Sequence, residues 1–179
     1  MAASRPTLGS SVVPALDRLL ISGFDNWLLF ANAACALVLL GSIAPPFLLE
    51  ADLRSAADAI HTLFLLLCPQ RPEHSYFLFG HKLAMEQRML AMFGAQLIGG
   101  LAFGAVRGRV SSGLDWRLFT LASLPVAWDI LSQSFGFRVS DWPTRTWTGV
   151  LFSLALVGWL YPLLNRALPI RGFERLESD

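Results

Sequence analysis

The chain has 179 residues, of which 54% are hydrophobic and only 15% charged, with a mean hydropathy of +0.52. Soluble domains are far more polar, so this composition is that of a membrane protein. Fourteen basic against thirteen acidic residues leave no excess for binding nucleic acid, and two cysteines exclude a disulfide scaffold, an all-thiolate zinc cage and a cysteine-ligated iron–sulfur cluster.

Residues 1–26 are polar or weakly amphipathic and are expected to form a surface segment. Small-x-small triplets such as Ala34-Cys35-Ala36 fall inside the following apolar run and not after it, so no signal cleavage is expected there. A spanning helix needs about 20 mostly apolar residues. The first candidate covers residues 27–43 and is expected to stop at Pro45-Pro46, a pair that cannot donate to a helix. Residues 51–67 begin with Asp52, Arg54 and Asp58 and continue as a short apolar run, too short to span, and are expected to form an interfacial helix. The second span, 89–106, is rich in small residues and ends at Arg107 and Arg109. A third, 118–135, carries Pro125, Asp129 and Gln133, and the fourth, 146–164, is entered through a capping Ser140-Asp141-Trp142-Pro143. Trp159 and Tyr161 near its far end resemble an interfacial aromatic belt, and residues 167–179 form a charged tail. The expected fold class is therefore all-α. It is a single integral membrane domain over residues 27–166, with four transmembrane helices and one interfacial helix between the first and second.

Four spans put both termini on one side of the bilayer. Eight arginines fall on that side (Arg5, Arg18, Arg107, Arg109, Arg117, Arg166, Arg171 and Arg175), and six basic residues fall on the other over longer connections. The positive-inside rule then predicts cytoplasmic N- and C-termini and an inner or plasma membrane location.

The connection into the second span reads Cys68-Pro69-Gln70-Arg71-Pro72-Glu73-His74-Ser75-Tyr76-Phe77-Leu78-Phe79-Gly80, followed by Met85-Glu86-Gln87-Arg88-Met89. Later come Pro125-x-x-x-Asp129-x-x-x-Gln133 and Arg145-x-x-Thr148-Gly149. In these blocks the chain resembles a bacterial and archaeal family of small polytopic membrane proteins, domain of unknown function 2085. The resemblance implies that full-pattern members carry a Cys-His pair facing a second cysteine pair, the donor types of a tetrahedral soft-metal site. This chain departs from the pattern at Pro69, Glu86 and Met89. Cys68, His74, His81 and Glu86 remain as weak candidates for metal, and no metal or other cofactor is expected.

Asp129 and Gln133 are four residues apart and share a helix face. A carboxylate within a span costs about 2.5 to 3.5 kcal/mol on insertion scales, so a partner is expected, either Arg88 or Arg145, each of which opens a neighbouring span. With Arg71 and Glu73 these residues form a candidate polar cluster at the non-cytoplasmic end, either a structural tie or a ligand site. His61, alone on an apolar helix, is a further possible ligand to a pigment or haem. There is no phosphate loop, nucleophilic triad or dinucleotide fingerprint. The leading expectation is a non-enzymatic accessory or structural subunit that packs against other membrane-protein subunits and the lipid bilayer. The alternative is a protein, possibly an enzyme, that binds a small ligand, lipid or quinone at the polar cluster.

Overall fold

Residues 26–168 are those described by the computed structural model, so nearly all of the N-terminal segment and the charged tail lie outside the described residues. In chain order the elements are α1 (Trp27–Glu50), α2 (Arg54–Phe64), a single 3-10 turn (Pro72–His74), strands β1 (Ser75–Leu78) and β2 (His81–Glu86), then α3 (Gln87–Val106), α4 (Trp116–Ser134) and α5 (Trp142–Ala167). Three helices, α1, α3 and α5, are long and apolar enough to cross a membrane. Helix α4 is not among them, because Arg117, Asp129, Gln133 and four hydroxyl side chains dilute its 19 residues.

Helix α1 packs on α3, α3 on α5, and α5 on α4. The start of α1 meets the ends of α3 and α5 in one apolar cluster of Leu28, Phe103, Val157 and Tyr161, so the helices alternate in direction and residues 26 and 168 lie at the same end. Tyr161 is buried there, with the rings of Trp27 at 5.2 Å and Phe103 at 5.8 Å. This corrects its assignment to an interfacial belt: its helix face turns toward α1 and α3. Trp159, on another face, stacks on Phe119 of α4 at 4.8 Å.

The first helix does not end at the proline pair. It continues through Pro45 and Pro46 to Glu50, because both rings are buried in packing that holds the turn together. A proline inside a helix loses one donor and clashes with the preceding turn, but tertiary contacts offset this where the site is well packed. Ser42, one turn earlier, donates to the Leu39 carbonyl at 2.8 Å, and Gly41 leaves the room that the Phe64 ring of α2 occupies.

An all-α fold also needs correction, since residues 75–86 form an antiparallel hairpin. Phe79 and Gly80 close it with positive φ of 54° and 77°, the pattern of a type I′ turn, and the Phe79 ring rests on Phe47 of α1 at 5.5 Å. Ser75 pairs with Glu86 and Phe77 with Lys82, so β2 advances four residues while β1 advances two. That bulge breaks the strand alternation, and Leu83, Ala84 and Met85 are consecutively buried. Ala84 and Met85 join Phe64 and Cys68 in a second apolar cluster, which seats the hairpin on α1, α2 and the start of α3.

Gly149 shows how tightly α3 and α5 approach. A Cβ there would lie 2.8 Å from the Arg88 carbonyl oxygen. It is α3, through the Arg88 carbonyl, Ala91 and Met92, that uses this space. Gly149→Ala should therefore destabilise the bundle by about 1 to 3 kcal/mol, whereas Gly94→Ala, with nothing within 4 Å of its added methyl, should have little effect. Thermal unfolding of both variants in the same mild detergent checks the contrast.

Candidate functional site

The hairpin end of the bundle collects the polar residues. Asp129 lies on the single buried stripe of α4, formed with Val126 and Ser132, and is 1% exposed. Its Oδ2 accepts from Arg88 Nη2 at 2.5 Å and from Ser140 Oγ at 3.0 Å, and Arg138 Nη2 lies 3.7 Å from Oδ1. The pairing expected with Arg88 is thus present, across the gap between α3 and α4. Gln133 does not reach the carboxylate; its Nε2 donates to the Asp129 main-chain carbonyl at 2.7 Å.

Arg138 and Ser140 return to Asp129 because of how α4 ends. Gly136 has a φ of 72°, its N–H donates to Gln133 O, and Phe137 N–H donates to Ser132 O at 2.9 Å. These two bonds make a Schellman motif, which reverses the chain within a few residues. Gly136, standing just after the apolar stretch, was the sequence signal for this stop. Reading on from it would have brought Arg138 and Ser140 into the cluster. Asp141 then caps α5, accepting from Thr144 N–H at 3.1 Å, and hydrogen bonding from the Thr144 side chain first and its backbone N–H second holds its carboxyl below the usual range.

Arg145 is not bonded to Asp129. It is 4% exposed, and its Nη1 donates to the Glu73 main-chain oxygen at 3.1 Å and to Gln87 Oε1 at 3.4 Å. No carboxylate among the described residues reaches ion-pair distance of it. The Nε atoms of Arg88 and Arg145 are buried without a hydrogen-bond partner. Arg71 uses its backbone N–H to bond Glu86 Oε1 at 3.1 Å, and its side chain lines the cluster's open face.

A concavity of about 460 Å³ lies over these groups, lined by Arg71, Glu73, His74, Gln133, Arg138 and Arg145 among others. A deeper one of about 240 Å³ shares most of that wall and adds Glu86, Arg88 and Ile130. Four guanidinium groups here stand with four carboxylates, Glu73, Glu86, Asp129 and, acting on Arg138, Asp141.

The metal candidates do not converge. Cys68 Sγ accepts from Glu86 N–H at 3.5 Å and His74 Nδ1 stands 3.7 Å from Glu86 Oε2, but His81 pairs instead with Glu50 at 3.4 Å. Among the described residues no three His, Cys, Asp or Glu side chains gather as a ligand set. The glutamate at position 86 spends its oxygens on Arg71 and His74, tying the connection to the hairpin. His61 is tied to the connection through one ring nitrogen: its Nδ1 donates to Gln70 Oε1 at 2.8 Å, and Gln70 Nε2 donates back to the His61 carbonyl at 2.7 Å.

Residues 68–158, just over half the chain, match the family model described as "Predicted membrane protein (DUF2085)". The chain belongs to this family. The matched stretch starts at Cys68 beneath the hairpin and takes in all of α3 and α4 and most of α5, with every residue that lines the two concavities. An uncharacterized protein of Methanocaldococcus jannaschii is 27% identical over 106 residues, 58% of this chain and 67% of that protein. No solved structure matches the chain.

Two outcomes follow from this geometry. Removing Asp129 as Asp129→Ala strands the Arg88 guanidinium and should cost about 3 to 5 kcal/mol, while the double variant with Arg88→Ala should cost less than the sum of the two single changes. Unfolding free energies around that cycle measure the coupling. Burial first, and then the nearby Arg145 guanidinium, push the His74 pKa below its usual 6.5, against the opposing pull of Glu86 and Glu73. A folded value below the unfolded one means that the neutral ring favours the fold. Its contribution is complete above about pH 6.5 and is lost as the pH falls through the lower folded value. Melting temperatures should therefore decline on the acid side of that pH, and His74→Gln should flatten part of the decline.

Proposed function

We propose that this protein is a four-span membrane protein that binds a small anion-bearing ligand at the hairpin end of its bundle. The observation that carries this reading is Arg145, a buried guanidinium that lines both concavities with only neutral acceptors on it. A buried charge left without a counter-ion costs several kcal/mol, about what a paired anion in the same place offsets. Arg71 and Arg138 sit on the same wall, and Arg138 is 42% exposed and able to reach a ligand. Arginine clusters suit carboxylate and phosphate groups because the planar fork donates two parallel hydrogen bonds.

The fourth span in this reading is α4. Its buried stripe carries the polar groups toward α5, and Leu121, Leu124, Trp128 and Leu131 face outward as lipid contacts. With the arginines at positions 107, 109, 117 and 166 gathered at the opposite end, both termini are cytoplasmic and the site is non-cytoplasmic. A cysteine introduced as Gly108→Cys should then react with an impermeant reagent only from the cytoplasmic side. Labelling from outside would invert the arrangement.

The accessory-subunit reading rests on exposed apolar side chains along the helices, and lipid covers such faces equally well. Native mass spectrometry after gentle detergent release separates the two. The ligand reading expects a solitary chain with one anionic adduct that is lost in Arg145→Gln. A stoichiometric larger complex without an adduct, or an adduct indifferent to Arg145, would overturn it.

A further inference from the structure

The wall of the larger concavity is not polar throughout. After the Schellman turn the chain alternates: Phe135, Phe137 and Val139 are 70%, 78% and 90% exposed, while Arg138 and Ser140 turn inward to Asp129. Val139 itself lines the larger concavity beside Arg138 and Arg145. In the deeper one, Ile130 on the outer side of α4 stands beside Arg88 and Glu86. Three large apolar side chains exposed in a row are unfavourable in water, but are stable where the loop meets the headgroup and acyl boundary of a bilayer. Helices α3 and α4 each pack on α5 and scarcely on each other, so the Arg88–Asp129 pair is what closes the space between their hairpin ends.

Resting on the anion-binding reading above, we propose that the ligand is an anionic amphiphile drawn from the membrane, with a phosphodiester or carboxylate head. Its charged head lies on Arg145, Arg71 and Arg138, and its apolar part lies against Val139, Phe137 and Ile130. The volume of about 460 Å³ suits a head group of a few polar atoms, and lies within the usual range of ligand sites. An anion arriving from water would have no use for the apolar rim. For an amphiphile, the rim and the guanidinium groups are adjacent in the order in which its own chemistry changes.

The test compares short-chain phosphatidylglycerol with glycerophosphoglycerol, the same head group without acyl chains, and with short-chain phosphatidylcholine. Each is titrated into the delipidated full chain in neutral detergent and followed by native mass spectrometry. The expected result is that phosphatidylglycerol binds at least about tenfold more tightly than either comparison compound. Arg138→Gln should weaken it by about tenfold, and so should Phe137→Ser combined with Val139→Ser, the melting temperature of each variant being measured alongside because Arg138 also stands 3.7 Å from Asp129. If glycerophosphoglycerol binds as tightly as the lipid, or the rim variant binds the lipid normally, the amphiphile proposal falls and the anion site stands. If neither anionic compound binds, or Arg138→Gln changes nothing, the anion site falls with it.

Discussion

The pair between Arg88 and Asp129 holds the hairpin end together. Helix α4 packs on α5 and has little contact with α3, so without this bond nothing of comparable strength ties α3 to α4. Because Asp129 is almost wholly buried, water screens the attraction little, and the cost of desolvating both ions is offset only by good geometry and further donors. Ser140 is that donor, Arg138 adds a guanidinium 3.7 Å from Oδ1, and the Gly136 turn delivers both. A local backbone conformation thus completes an electrostatic contact between two helices.

The hairpin stands in the same relation to Arg145. Seated by Ala84 and Met85 on an apolar cluster, it presents the Glu73 carbonyl and, at the start of α3, the Gln87 amide to a guanidinium with no acid of its own. The result is an asymmetric site. Arg88 is neutralised by its partner, whereas Arg145 is held in place by neutral oxygens with no carboxylate among the described residues at ion-pair distance. Glu86, where this chain departs from the family pattern, accepts from the Arg71 backbone N–H and stands 3.7 Å from His74, and so ties the connection to the hairpin.

Helix positions, the pairing of Asp129 with an arginine that opens a neighbouring helix and the location of the polar cluster were legible because their signals are local or follow from chain order. Apolar length marks a membrane helix, and helices alternating in direction bring the openings of α3 and α5 to the level where α4 ends. The choice of Arg88 over Arg145 was not legible. Both guanidinium groups stand at similar depth, and which one meets the carboxylate depends on helix rotation. That rotation is set by Gly149 against the Arg88 carbonyl and by the side chains between α3 and α5. The hairpin was hidden for another reason. Its bulge removes the period-two pattern, and its turn places a phenylalanine at positive φ, which only the Phe47 contact accounts for.

By itself, then, the sequence determined that this is a helical membrane protein of its family, and that an acid within an apolar stretch must find a base. Those conclusions depend on transfer free energy and on the cost of an unpaired charge, which belong to residues wherever the chain takes them. Tertiary structure alone decided that α1 runs through Pro45 and Pro46, that Tyr161 is buried, that a hairpin covers the site, and that Arg145 has no carboxylate partner. Each of these is the outcome of a competition between a local preference and contacts from residues distant in sequence. Such contacts exist only once the helices have been packed against one another.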